Sequence, residues 1–276
     1  MEPFVGTSGW FYSWNLDGSF DWFVKFSGLN AVELNMSFYR FPYPNMVKSW
    51  AVKGGGLRWA VKVNRLITHT FKFGEKAFEA WDKFHKLFTP LEPSIDFYLF
   101  QLPPSTTPNS AQKIEKFIAR TGLKGRFALE ARNIRWFTEA CLDWASRLGI
   151  TWVSVDSPDF PLDVFNTNGT VYLRMHGRKA WYSHYYTDDE IEEVAEKILR
   201  AKPERIYVFF NNNHACLKTR GKCFKPLSFN HDPQFRLPHK GFPAPPYFKP
   251  HLVGASESHF SAAPQILWCA RAERIS

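Results

Sequence analysis

The sequence predicts a TIM-like (β/α)₈ barrel, and three observations carry that prediction. Eight short apolar runs recur along the 276 residues, they alternate with segments of helical period, and seven of them end in polar or charged residues on one face. A barrel of parallel strands gathers its active site where the strands end, so the pattern also says where a site should lie. No glycine-rich GxGxxG turn follows the first run, which argues against an open doubly wound sheet.

The first run, residues 4–8, ends at a Gly9-Trp10 turn. Residues 21–28 follow, with Trp22, Phe23 and Phe26 at helical spacing. The second run, 31–35, precedes a helical pattern at 45–52 that aligns Met46, Val47 and Trp50. The third, 58–64, precedes the clearest helix, 76–88, whose stripe is Phe78, Trp81, Phe84, Leu87 and Phe88. The fourth, 95–102, leads to 110–120 with Ile114, Phe117 and Ile118. The fifth, 126–132, leads to 138–148, which Gly149 ends. The sixth is 151–156, and a loop or a degraded helix is expected after it, because Pro158 and Pro161 interrupt residues 156–169. The seventh, 171–176, leads to 188–200, which opens on acids and closes on Arg200 as the helix dipole prefers. The eighth, 205–212, leads to a last helix at 214–224. Residues 1–225 therefore read as the barrel domain. Residues 226–276, with eight Pro and no sustained period, read as an irregular C-terminal tail.

Side chains alternate across a strand, so each run splits into two faces. Val32/Leu34, Val61/Val63, Leu129/Ala131, Val153/Val155, Leu173/Met175 and Val208/Phe210 should face the helices. Glu33/Asn35, Lys62/Asn64, Gln101, Glu130/Arg132, Asp156, Arg174/His176 and Asn211 should point inward near the C-terminal mouth. The inward carboxylates Glu33, Glu130 and Asp156 balance Lys62, Arg132 and Arg174, so a self-satisfied ion network plugging the barrel is one reading. A site is the other, because polar groups from seven strands converge on one mouth.

In the site reading, Glu130, His176 and Lys62 are the catalytic candidates. Lys62 serves as a phosphate donor, a proton shuttle or a Schiff-base amine. Glu130, its pKa lowered by Arg132, suits a base, and His176 is a second proton-transfer group. Arg132 and Arg174 suit a bidentate phosphate or carboxylate. Glu33, Asn35, Asp156, Gln101, Asn211 and His69 complete the binding set, with Trp10, Tyr12 and Tyr39 as walls. A glycosidase-like pair, Glu33 with Glu130 or Asp156, is geometrically conceivable. Three cations in the mouth oppose a metal, although His69, His176, Glu33, Glu130 and Asp156 have ligand chemistry. No cofactor motif, HExxH, P-loop or GxSxG is present.

The formal net charge is +9, of which the tail supplies +2, and this favours an anionic partner. Lys72, Lys124, Arg178 and Lys179 at loop positions support an alternative nucleic-acid-binding or nuclease-like reading. Aromatic residues reach 17 %, with 11 Trp and 27 Phe, enough either to fill a bulky core or to line a mouth with stacking surfaces. No stretch of about 18 apolar residues predicts a membrane span. Strand-like sequence from Phe4 leaves no room for a signal peptide. Four scattered cysteines, 141, 216, 223 and 269, fit cytoplasmic thiols better than a disulfide scaffold. Cys216, Cys223 and Cys269 near His214 form no CxxC pair.

Read together, several motifs carry a resemblance. They are Gly6-Thr7-Ser8-Gly9-Trp10 with Tyr12 and Trp14, Val32-Glu33-Leu34-Asn35, Ser37-Phe38-Tyr39-Arg40 with Trp50, and Lys62 before Ile67-Thr68-His69. Gln101-Leu102-Pro103-Pro104, Leu129-Glu130-Ala131-Arg132 with Trp136, Asp156, Leu173-Arg174-Met175-His176-Gly177 and Phe210-Asn211-Asn212 complete them. In this order they resemble the YecE-like family, domain of unknown function 72, over roughly residues 4–224. The resemblance implies a TIM-like barrel and no established activity. The fifty or so residues after it depart from the family pattern. The function expected is an enzyme of acid/base type, a hydrolase or isomerase, acting on a small phosphorylated or sugar-like anion.

Overall fold

A computed structural model describes residues 3–212, and over them the eight expected strands close into one parallel barrel. They are β1 (Phe4–Ser8), β2 (Ala31–Leu34), β3 (Arg58–Lys62), β4 (Ile95–Gln101), β5 (Phe127–Glu130), β6 (Thr151–Asp156), β7 (Thr170–Met175) and β8 (Arg205–Phe210). They pair in chain order and β8 returns to β1, so no edge remains unpaired. At Gly6, a Cβ would lie 2.3 Å from the Ala31 carbonyl oxygen, so a glycine lets β1 and β2 approach there.

The helices lie where the periodicity places them: α1 (Phe20–Phe26), α3 (Pro44–Lys53), α4 (Glu75–Leu87), α5 (Ala111–Thr121), α6 (Glu139–Leu148) and α7 (Asp188–Arg200). Ser19 and Thr138 cap α1 and α6, and Thr187 with Glu190 forms a capping box on α7. Two short elements carried no periodic signal. They are α2 (Met36–Tyr39), directly after β2, and a π-helical turn, Leu66–Thr70, after β3. Of the two expected forms the loop is found, and no helix joins β6 to β7. Side chains tie that crossover down instead: Ser154 Oγ accepts the Phe165 N–H at 2.9 Å, and Thr167 Oγ1 accepts the Trp152 N–H at 3.1 Å.

The apolar core has two layers. Ala31, Ala60, Phe97, Leu99, Ala128, Tyr172, Tyr207 and Phe209 fill the barrel, and the larger set packs between strands and helices. Val153 and Val155 belong to the inner layer, which reverses the phase expected for β6. The cause is Trp152, whose bulk sits outside against Trp136 and Phe165 and forces its neighbours inward. Among the described residues no helix is long and apolar enough to cross a membrane. The expected helix at 214–224, the boundary at 225/226, the tail and Cys216, Cys223 and Cys269 lie outside the described residues.

Candidate active site

The floor of the barrel mouth is a network of fully buried ions. Arg174, two residues from the end of the seventh expected run, points inward because Tyr172 and His176 share its face. Its Nη2 donates to Glu33 Oε1 at 2.6 Å and its Nη1 donates to Glu130 Oε2. One guanidinium therefore holds the carboxylates of β2 and β5. Glu33 also accepts from Ser8 Oγ at 2.6 Å and from the Tyr172 hydroxyl at 2.7 Å. Glu130 Oε1 accepts from Arg132 Nε and from Gln101 Nε2, the latter at 3.2 Å. Burial alone raises a carboxyl pKa, but Arg132, Arg174 and Lys62 outweigh it and hold Glu130 at about 2. Burial lowers the Arg174 pKa and the two carboxylates more than restore it, so Arg174 stays a cation.

Lys62 ends β3 in this mouth, and only 8 % of its surface is exposed. Its Nζ lies 4.3 Å from the centre of the Phe38 ring. Among the described residues it makes no ion pair within 4.0 Å. Burial lowers its pKa first, Arg174 and Arg132 add to that, and the pull of Glu130 and Glu33 does not compensate. The result is a lysine at about 7.

Around these groups stand polar side chains from neighbouring strands. His176 is fully buried. Its Nε2 lies 3.5 Å from Arg132 Nη2, and its Nδ1 lies 3.2 Å from the Asn211 amide. Burial and the charges of Arg174, Arg132 and Lys62 hold the His176 pKa well below 6.5, so the ring is neutral. Half-buried His69, on the π-helical turn, meets Thr68 Oγ1 at 2.8 Å through Nδ1. Burial, Lys62, Arg65 and Arg132 lower it to about 4. Asn35 follows β2, and its Oδ1 is buried with no donor among the described residues. Arg132 lies over Trp181, its Cζ 4.7 Å from the ring centre. Its Nη1 has no hydrogen-bond partner among the described residues.

Two expected residues, Asp156 and Trp10, stand elsewhere, while Tyr12 and Tyr39 pack against Ser8 and Phe38 at the strand ends. Asp156 has the outward phase of Trp152, not the inward phase expected, and joins a separate cluster. Its Oδ2 accepts from Arg178 Nε at 3.0 Å and its Oδ1 from the Tyr186 hydroxyl at 2.7 Å. That cluster ties the β7–α7 loop to β6. Trp10 is buried in the outer layer against Phe20 and Trp50. Tyr12 stacks on Trp14, and its hydroxyl lies 3.2 Å from the carbonyl oxygens of Ser8 and Phe210, where it bridges the ends of β1 and β8. Tyr39 meets the Phe38 ring edge-on at 5.1 Å. The loop cations do not form one face. Lys124 precedes β5 at the opposite end of the barrel from Lys72 and Lys179, and Arg178 is held by Asp156 and Glu193.

Ser8, Tyr172, Phe38, Trp181 and Tyr182 complete the site and are not among the expected site residues, although Ser8 and Phe38 fall within the motifs. Tyr172 was legible, since it shares a face with Arg174. Trp181 and Tyr182 were not. They belong to a loop without period that folds over His176, with ring centres 5.1 and 5.5 Å from it. Among the described residues no group of three or more His, Cys, Asp or Glu is arranged to hold a metal.

Comparison with known proteins agrees with this architecture. The profile of the family described as "Protein of unknown function DUF72" matches residues 4–219. The chain belongs to the DUF72 family. A DUF72 family protein from Enterococcus faecalis V583 superposes with TM-score 0.69 at 21 % identity, over 84 % of this chain and 97 % of that one. A DUF72 family protein from Thermotoga maritima MSB8 gives 0.67 at 23 % identity, over 80 % and 98 %. A xylose isomerase-like TIM barrel/4-hydroxyphenylpyruvate dioxygenase fusion protein gives 0.53 at 12 % identity, over 81 % of this chain and 42 % of that one. At these identities the likeness concerns the fold. No curated protein matches the chain.

Proposed function

We propose that this DUF72 barrel is an enzyme that binds a small phosphorylated or sugar-like anion in its C-terminal mouth and moves protons on it. Lys62 carries the reading. Among the described residues Glu33, Glu130, Arg132 and Arg174 are ion-paired, whereas Lys62 faces the same mouth without a carboxylate partner. A buried network built for stability alone would pair its last cation.

The roles follow from charge state. Lys62, near pKa 7, is the group able to take and return a proton at neutral pH. Glu130 remains ionised, so its part is to hold Arg132 and Arg174 rather than to carry the proton. Arg132 Nη1 is the anion donor, and Asn35, Gln101, Asn211 and His69 offer polar contacts to hydroxyl groups. His176, neutral and close to Arg132, is the second proton group. Isomerisation, in which one proton is removed and returned, asks least of this set. Such metabolites are cytoplasmic, where the free thiol of Cys141 is also at home. Nucleic acid is the weaker proposal, because the loop cations are split between the two ends of the barrel.

An arriving anion offsets the cations around Lys62 and His176 and raises both pKa values, so binding takes up protons. Calorimetric titration of inorganic phosphate at pH 8, in two buffers of different ionisation enthalpy, tests this. Wild type should bind with uptake of up to about one proton. Arg132→Lys, which loses the planar fork, should bind about tenfold more weakly, or roughly 1.4 kcal/mol. Absence of phosphate binding, or equal binding by both proteins without proton uptake, contradicts the reading.

A further inference from the structure

We propose that Lys62 is a nucleophile that forms an imine with the carbonyl carbon of an anionic aldehyde or ketone bound in the mouth, an inference that rests on the anion-binding reading above and leaves proton transfer to His176 once the imine has formed. Four features of the site support it. Lys62 is the last residue of β3, so its side chain meets the mouth where barrel enzymes work. Its Nζ rests over Phe38, which is itself held edge-on by His69 and Tyr39, so the amine is positioned rather than free to swing. No carboxylate lies within 4.0 Å among the described residues to hold it as an ammonium. Arg132 and Arg174, both paired with Glu130, flank it and disfavour an ammonium there.

The step balances without any other reagent. The amine lone pair forms a C–N bond while the carbonyl π electrons move to oxygen, which takes one of the two amine protons. The second proton leaves with that oxygen as water, and a C=N bond remains. Carbon and nitrogen keep their oxidation levels. Before the anion arrives, about half of Lys62 is unprotonated at pH 7, and the bound anion reduces that fraction. For a lysine of ordinary pKa, about 10.4, the fraction is roughly one in a few thousand. Lower intrinsic basicity offsets part of that advantage and leaves a preference of more than about tenfold.

Borohydride trapping tests the proposal. The full chain is incubated at pH 7 with glyoxylate or dihydroxyacetone phosphate, reduced with sodium borohydride, digested and mapped by mass spectrometry. Lys62 should carry the reduced adduct at least tenfold more than exposed Lys53, Lys83 and Lys86. Lys62→Arg, which keeps the cation, should lose that adduct. Excess inorganic phosphate should suppress it. Labelling of Lys62 no greater than that of exposed lysines with both probes overturns the imine. If phosphate still binds in the Arg132-dependent manner, only the nucleophile assignment fails. If that binding is also absent, the anion site fails with it.

Discussion

A lysine with a pKa of about 7 in a folded chain is a statement about stability as well as reactivity. Unfolded, the amine titrates near 10.5, and in the barrel near 7, so between these values the unfolded state binds more protons and stability rises with pH. Below pH 7 the native state bears the full cost of a buried ammonium, of order several kcal/mol. Lys62→Met, similar in length and uncharged, should therefore raise the melting temperature. The gain should be largest at or below pH 7 and fade as pH climbs toward 10.5. Melting curves from pH 6 to 10 check this, and a loss of stability, or a gain independent of pH, contradicts it. A residue that costs stability in place and that the proposed reaction needs is a mark of function. The polar alternation already exposed Lys62, Glu33, Glu130 and Arg174 as sharing the barrel interior. It did not separate a base from an anchor. That distinction depends on which oxygen meets which nitrogen, and Arg174 bridging Glu33 to Glu130 appears only in three dimensions.

Among elements, the β7–α7 loop is the least legible and lies closest to the candidate chemistry. Gly177 starts it at φ +110, where a Cβ would lie 2.6 Å from the Ala180 carbonyl oxygen, so glycine is required. Tyr182 takes the left-handed φ of 62, a strained conformation, with its N–H bonded to the His176 carbonyl at 2.7 Å. The Tyr186 hydroxyl accepts the Gly177 N–H at 2.9 Å and donates to Asp156. Tyr186→Phe leaves both partners buried and unsatisfied and should cost about 2 kcal/mol or more. Amide exchange across 177–187 should quicken while the β-strands stay protected, and unchanged exchange there contradicts the role given to this tether. Strand β6 misled for a physical reason. Each of its faces carries one small hydroxyl residue before Asp156, Thr151 on one and Ser154 on the other, so alternation does not fix the phase, and the volume of Trp152 decides it. The helices α6 and α7 were legible because amphipathic stripes and capping residues point the same way, and α4 was legible from its stripe alone.

For the whole molecule, closure of eight strands brings residues as distant as Ser8, Glu33, Lys62, Glu130 and Arg174 to one end of one barrel. The order of elements and the short crossovers made that closure readable from sequence. Net charge was a poorer guide, because the cations it counts are spread over both ends of the barrel and several are spent on internal carboxylates. Among the described residues, what the fold concentrates in the mouth is one amine without a carboxylate partner above a paired ionic floor. NMR titration of the protein with isotopically labelled lysine side chains tests that claim most directly. A single lysine, absent from the Lys62→Met spectrum, should titrate near pH 7 and move upward when inorganic phosphate is added. If Lys62 titrates near 10 with the other lysines and ignores phosphate, the mouth is a closed ionic plug and the account fails.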